Sequence, residues 1–216
     1  MDRWILWVLG GLAAFVFFWG KIISEIKLLR ADWRAWGKRM WKEWGEPFLI
    51  AALIAMTIRT FIFGPYKIPT GSMIPTLLVG DRIFVDKITY RFRQPNRGEI
   101  IVFKYPGDEK KDFIKRLVAM SGDSVEIRDG EALVNGKPLT ELVDPKVPKK
   151  YYYNRNDWSY GREGQKFVVP PDSFFVLGDN SAQSSDSRNW GFVSKRHLIG
   201  RAVLIWWPLK RIGFSN

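Results

Sequence analysis

Apolar and polar positions divide the chain into three textures. Residues 4–20 hold no charge and no proline, with Trp4 and Trp19 near the ends, where interfacial aromatics belong. From Ile22 the apolar positions recur at Ile26, Leu29, Trp33, Trp36, Met40 and Trp44. Their spacing of three and four predicts a helix, and Lys27, Arg30, Arg34, Lys38 and Lys42 make its other face basic. Such a helix suits either an anionic membrane surface or a self-association seam. Pro47 then opens a second apolar run, Phe48 to Phe63, broken only by Arg59. It crosses a bilayer if Arg59 snorkels to the interface.

Beyond Gly64 the period shortens to that of strands. Arg82–Val85, Glu99–Phe103, Asp112–Val118 and Phe174–Leu177 alternate or are rich in branched residues, and Ala202–Trp207 is an apolar strand. Gly-Asp pairs at 80–81, 122–123 and 178–179 predict turns, and Arg128–Leu139 reads as a hairpin with Asn135-Gly136 at its tip. Residues 140–170 show little periodicity and read as an irregular excursion. The expected fold class is mainly β: membrane-anchoring helices followed by an antiparallel β catalytic domain with a small inserted β region. The expected boundaries are an anchor over 1–63, with spans at about 4–20 and 47–63, and a domain over 64–216 with its insert at about 125–169.

Charge sets the orientation. The net charge is +12, and residues 21–46 carry seven Lys or Arg against four Asp or Glu, so the positive-inside rule assigns that loop to the cytoplasm. Two spans then put the β domain on the extracytoplasmic side. A cleaved signal peptide is the alternative for 4–20, but Asp2 offsets Arg3 and no small-x-small site follows, so a permanent anchor is expected. With no cysteine, disulfides, thiolate-bound zinc and a cysteine nucleophile are all excluded.

Three polar patches carry candidate chemistry. Pro69 and Pro75 bracket Thr70, Gly71 and Ser72 in a segment that can be neither helix nor central strand, which holds a serine on a rigid turn. A serine nucleophile needs a base. The only histidine, His197, lies in a polar run that reads as a surface turn. Lys115 shares a predicted strand face with Phe113 and Leu117, and burial there lowers a lysine pKa toward a value useful for general base catalysis. A snorkelling strand lysine is the plainer alternative. The third patch, residues 178–192, is a long polar loop following an apolar strand. Its Asp179 and Asp186 lack a His or Cys that would make a transition-metal site.

These patches, in this order and behind this anchor, resemble bacterial type I signal peptidase, the membrane-bound leader peptidase. The resemblance rests on Ile68-Pro-Thr-Gly-Ser-Met-Ile-Pro-Thr-Leu, Gly80-Asp81, Arg97-Gly98-Glu99-Ile100, Lys115-Arg116, Gly122-Asp123, Gly178-Asp-Asn and Asp186-Ser-Arg-Asn-Trp-Gly-Phe. It implies Ser72 as nucleophile and Lys115 as general base. It also implies Ser184 as the serine that orients the lysine, and an oxyanion hole from the Ser72 N–H and the Thr70 hydroxyl. Arg116, Asp179, Asp186 and Arg188 are implied as structural ion pairs.

The implied substrates are signal peptides of exported preproteins at the bacterial inner membrane, cut after small residues at −1 and −3. The lipid bilayer is the implied surrounding and the secretion machinery a possible neighbour, with no metal, cofactor or nucleic acid required. Ser181-Ala182-Gln183 departs from the family's usual Arg-Asp-Asn at that point. Two rival readings stand: a self-cleaving Ser-Lys protease of the repressor type, and a non-enzymatic membrane adaptor.

Overall fold

The computed structural model describes residues 19–215, apart from 21, 28 and 29. The expected first span, 4–20, therefore lies outside the described residues except for its last two. Two compact units divide at Thr57/Ile58.

In the first unit the periodic stripe from Ile22 to Trp44 is not one helix. Asp32 is extended, at φ −152° and ψ 93°, and its carboxylate accepts from the Arg34 and Ala35 N–H groups as an N-cap. A new helix, α1 (Trp33–Ile62), starts there and is the one described helix long and apolar enough to cross a membrane. Pro47 does not break it. The turn before the proline, Trp41–Gly45, widens to a π-helix, and the helix resumes at Glu46. Such a widened turn absorbs a residue that lacks an N–H and clashes with the preceding turn. The part of the amphipathic segment after Asp32 and the apolar segment, expected as two elements separated at Pro47, are thus one helix. Within it Phe48, Leu49, Ile50, Leu53, Ile54 and Met56 are all exposed, so there is no core-facing stripe.

The second unit is built on an eight-stranded antiparallel sheet. Its strands are β1 (Phe63–Lys67), β2 (Arg82–Asp86), β3 (Ile100–Tyr105), β4 (Asp108–Met120), β9 (Ser173–Leu177), β10 (Val193–Ser194), β11 (Leu198–Trp207) and β12 (Gly213–Phe214). The order is β1-β2-β11-β3-β4-β9-β10, with β12 on β11. A small second sheet, ordered β7-β6-β5-β8, is inserted after β4: β5 (Ser124–Arg128), β6 (Glu131–Val134), β7 (Lys137–Pro138) and β8 (Lys166–Val168). At its predicted hairpin tip Asn135 and Gly136 adopt φ of +54° and +80°, the pair a two-residue primed turn requires.

One core cluster joins Ile68, Met73 and Leu77 to Ile83, Val85, Ile100, Val102, Ala202 and Ile205. It buries the residues on both sides of Ser72 and so fixes the turn between β1 and β2. The turn closes on itself: the Ile68 N–H donates to the Asp81 carbonyl at 2.9 Å, the Gly80 N–H to the Ile68 carbonyl at 2.9 Å, and the Leu78 N–H to the Asp81 carboxylate at 2.8 Å.

Candidate active site

Ser72 sits in a single 3-10 turn, Gly71–Met73, entered from an extended Thr70 at φ −131° and ψ 158°. A fully buried Met73 on one side and the exposed Thr70 on the other orient the turn. Lys115 lies in the middle of β4, opposite Ile101 of β3. Its side chain reaches across to Ser72, with Nζ 2.7 Å from Oγ, although 43 residues separate them in the chain. Both are almost wholly buried, and Lys115 Nζ is 5.6 Å from the centre of the Phe113 ring on the same strand face.

Burial dominates the proton affinity of Lys115. Loss of water lowers its pKa from 10.5 to about 8, against the pull of the Asp186 and Asp179 charges and with a smaller push from Arg188. At neutral pH an appreciable fraction is therefore free amine. Asp179 moves the opposite way from its burial. Desolvation alone would raise it, but the hydrogen bonds and charge of Arg116, helped by Thr76 and Lys150, hold it below the ordinary carboxylate range.

Two buried arginine–aspartate pairs support the loop behind Ser72 and Lys115. Arg116, beside Lys115 but on the opposite strand face, grips Asp179 with Nε at 2.8 Å and Nη2 at 2.7 Å, and donates to the Gly98 carbonyl at 2.6 Å. Arg188 grips Asp186 through Nε and Nη2, each at 2.8 Å. All four side chains are fully buried, and each pair is bidentate, the geometry that recovers the cost of desolvating two charges.

The loop also holds the Ser72 turn directly. The Asn180 N–H donates to the Ser72 carbonyl and its Nδ2 to the Gly71 carbonyl, both at 3.0 Å. Gly178, read from the sequence as a turn glycine like Gly80 and Gly122, does not share their positive φ. Its role is packing. A Cβ there would lie 2.1 Å from the Ser184 hydroxyl oxygen and 2.6 Å from the Ser72 carbonyl oxygen. Ser184 and the Ser72 backbone thus flank the same Cα. The Ser184 hydroxyl is buried and has no hydrogen-bond partner among the described residues, so it does not bond Lys115 here.

His197 is buried rather than at the surface, and its Nε2 lies 3.0 Å from Glu109 Oε1. No hydrogen bond joins it to Ser72 or Lys115.

Two contributors escaped the sequence. Lys150, from the aperiodic stretch, is buried with Nζ 3.5 Å from Asp179 Oδ2 and 3.4 Å from Thr76 Oγ1. Ser181, in the divergent tripeptide, accepts from Arg188 Nη1 and from the Tyr153 N–H through its hydroxyl, and from Arg188 Nη2 through its carbonyl. The departure from the family pattern therefore supplies contacts to the second ion pair. Only a long-range structural signal could have revealed either residue.

The arrangement holds a serine hydroxyl, a depressed lysine and a threonine hydroxyl with no hydrogen-bond partner among the described residues, beside backbone fixed from a distant loop, the elements of acyl transfer without histidine. Comparison with known proteins agrees in family. A model described as "Signal peptidase, peptidase S26" matches residues 41–207. The chain is 41% identical to signal peptidase I of Leptolyngbya laminosa, covering 76% of this chain and 78% of that protein. It is 35% identical to signal peptidase I of Aquifex aeolicus, covering 79% and 86%. A crystal structure of a signal peptidase I from Enterococcus faecalis, 30% identical, covers 50% of this chain and 97% of that one at a TM-score of 0.39.

Proposed function

The chain belongs to the signal peptidase I family, peptidase S26, whose members are membrane-anchored serine endopeptidases that remove signal peptides, and from that footing we propose that it cleaves preproteins with a Ser72–Lys115 dyad. The observation that carries the reading is the 2.7 Å contact between Lys115 Nζ and Ser72 Oγ in a site that lowers the lysine pKa to about 8.

Neutral Lys115 takes the proton from Ser72 Oγ as the oxygen attacks the scissile carbonyl. The tetrahedral oxyanion is met by the Ser72 N–H and the Thr70 hydroxyl, which makes no capping bond in the resting turn and is free to donate. Collapse breaks the peptide C–N bond, and the Lys115 ammonium returns its proton to the leaving amine, the new N-terminus of the mature protein. Lys115, neutral again, draws a proton from water as that water attacks the acyl carbonyl; collapse breaks the ester bond to Ser72 Oγ, the Lys115 ammonium returns its proton to that oxygen, and the signal peptide leaves as an acid that ionises to the carboxylate in water. Ser184, whose buried hydroxyl has no partner among the described residues in the resting structure, is assigned the role of orienting Lys115 once the lysine has taken up the Ser72 proton. Arg116–Asp179 and Arg188–Asp186 hold the loop that carries it. Small residues at −1 and −3 of the substrate fit the A-x-A-like pattern of signal peptides.

The chain lies in the bacterial cytoplasmic membrane, anchored by α1, with the basic residues of 21–46 inside and the β domain outside. Preproteins are the partners.

The test is cleavage of a preprotein by the purified full chain in detergent. Ser72→Ala and Lys115→Ala should each abolish turnover, and Lys115→Arg should fail equally because a guanidinium stays protonated. His197→Gln should retain turnover. Near-normal cleavage by Lys115→Ala would remove the dyad from consideration.

A further inference from the structure

We infer that the chain carries, apart from the dyad, a binding site for the phosphodiester headgroup of an anionic phospholipid, built from Lys87, Arg91 and Lys195. The three line one surface cavity of about 280 Å³, with Phe61 and Leu198 among its apolar walls and no carboxylate in its lining. Arg91 and Lys195 are exposed, and neither side chain has a hydrogen bond or ion pair among the described residues. Lys87 is held in place, its Nζ donating to the Thr60 carbonyl at 3.2 Å and the Arg59 carbonyl at 3.5 Å, at the end of α1.

Of the nearby acids, Glu99 and Asp86 are already committed, and Asp172, whose carbonyl accepts the Lys195 N–H at 2.8 Å, is exposed and lies outside this cavity's lining. Glu99 is bound by Arg93, by the Tyr90 hydroxyl at 2.9 Å and by the Asn96 N–H at 3.0 Å. Asp86 accepts from the Ile88 and Thr89 N–H groups. Three cations around an acid-free cavity make a local positive potential that selects an anion, and a guanidinium with two ammonium groups suits phosphate oxygens. The larger cavity, about 410 Å³, shows the contrast: Asp144 and Glu99 line it, and its Arg97 is paired with Asp123 at 2.7 Å.

A lipid is favoured as the source because the cavity is walled by the last turn of α1. Phe61 belongs to that turn and is half exposed, and Phe92, next to Arg91, is 84% exposed. The end of a membrane span is where headgroups lie, and basic side chains there are drawn to anionic lipid. The inference rests on the reading of α1 as the membrane anchor.

The full chain, purified in nonionic detergent, is titrated calorimetrically with dihexanoyl phosphatidylglycerol, dihexanoyl phosphatidylcholine and inorganic phosphate. The wild type should bind phosphatidylglycerol saturably, and at least tenfold more tightly than the other two. Arg91→Gln/Lys195→Gln should weaken that binding about tenfold or more, since each basic contact near anionic lipid contributes several-fold. Unchanged affinity in the double variant overturns the site, and equally tight binding of inorganic phosphate overturns the lipid source. Cleavage is read separately. Ser72→Ala should bind phosphatidylglycerol normally, and the double variant should cleave a preprotein at the wild-type rate in lipid-free detergent. Loss of cleavage in that variant would overturn the independence of this site from the dyad.

Discussion

Replacing Gly178 with alanine perturbs the site through two contacts at once. The new Cβ would lie 2.6 Å from the Ser72 carbonyl oxygen, where ordinary contact is about 3.5 Å. Ser72 must therefore retreat by about 0.9 Å, or the loop carrying Asn180 must. Either movement strains the 3.0 Å bond from the Asn180 N–H to the Ser72 carbonyl. A displacement of roughly 1 Å in a reacting group costs on the order of a hundredfold in rate, and overpacking of this kind costs about 1–3 kcal/mol of stability. For a domain of this size that lowers the melting temperature by roughly 2–12 °C. The assay is preprotein cleavage under saturating conditions together with thermal unfolding. Adding Ser184→Gly to Gly178→Ala relieves the 2.1 Å contact but not the one to Ser72, so part of the melting temperature should return. A Gly178→Ala enzyme with a kcat within twofold of wild type would refute the argument that this glycine exists for close packing against the nucleophile.

Lys115→Met should inactivate the enzyme yet stabilise it at neutral pH. A lysine lowered from 10.5 to about 8 costs the fold roughly 3 kcal/mol below pH 8, a cost that fades as pH rises from 8 to 10.5, where only the unfolded chain still binds the proton. Allowing about 1 kcal/mol for the lost Ser72 hydrogen bond, the variant should gain about 2 kcal/mol in denaturant unfolding at pH 6.5 and none at pH 10.5; a loss at pH 6.5 would contradict the burial argument. Lys150→Met leaves Asp179 less fully neutralised, and the Asp179 charge favours protonated Lys115. Its acid limb should move to higher pH, with kcat/KM at pH 7 falling about twofold for a coupling on the order of 0.5 kcal/mol; an unmoved limb would leave Lys150 a purely structural role.

Legibility of the fold followed the range of the forces involved. β2, β3 and β9 were readable because alternation and branched side chains are local, and Asn135-Gly136 because its backbone geometry favours those two residue types. The break at Asp32 was hidden: an aspartate on the polar face of a periodic stripe looks the same whether it continues the helix or caps the next one. Pro47 misled in the other direction, since nothing in the residues before it announces the widened turn that accommodates it. Of the site, the three patches were visible as composition, but their meeting was not, because Lys115 and Ser72 come together through strand order. Gly178 and Lys150 were opaque for the same reason, one defined by atoms brought from the Ser72 turn and the other by an aspartate 29 residues away.

The dyad is tested most directly by the pH dependence of kcat/KM for preprotein cleavage by the purified full chain. With Lys115 as the proposed base its free amine is the reactive form, so the rate should rise tenfold per pH unit at low pH and level off with an apparent pKa near 8. A limb near 10 would show an unperturbed lysine and contradict the account.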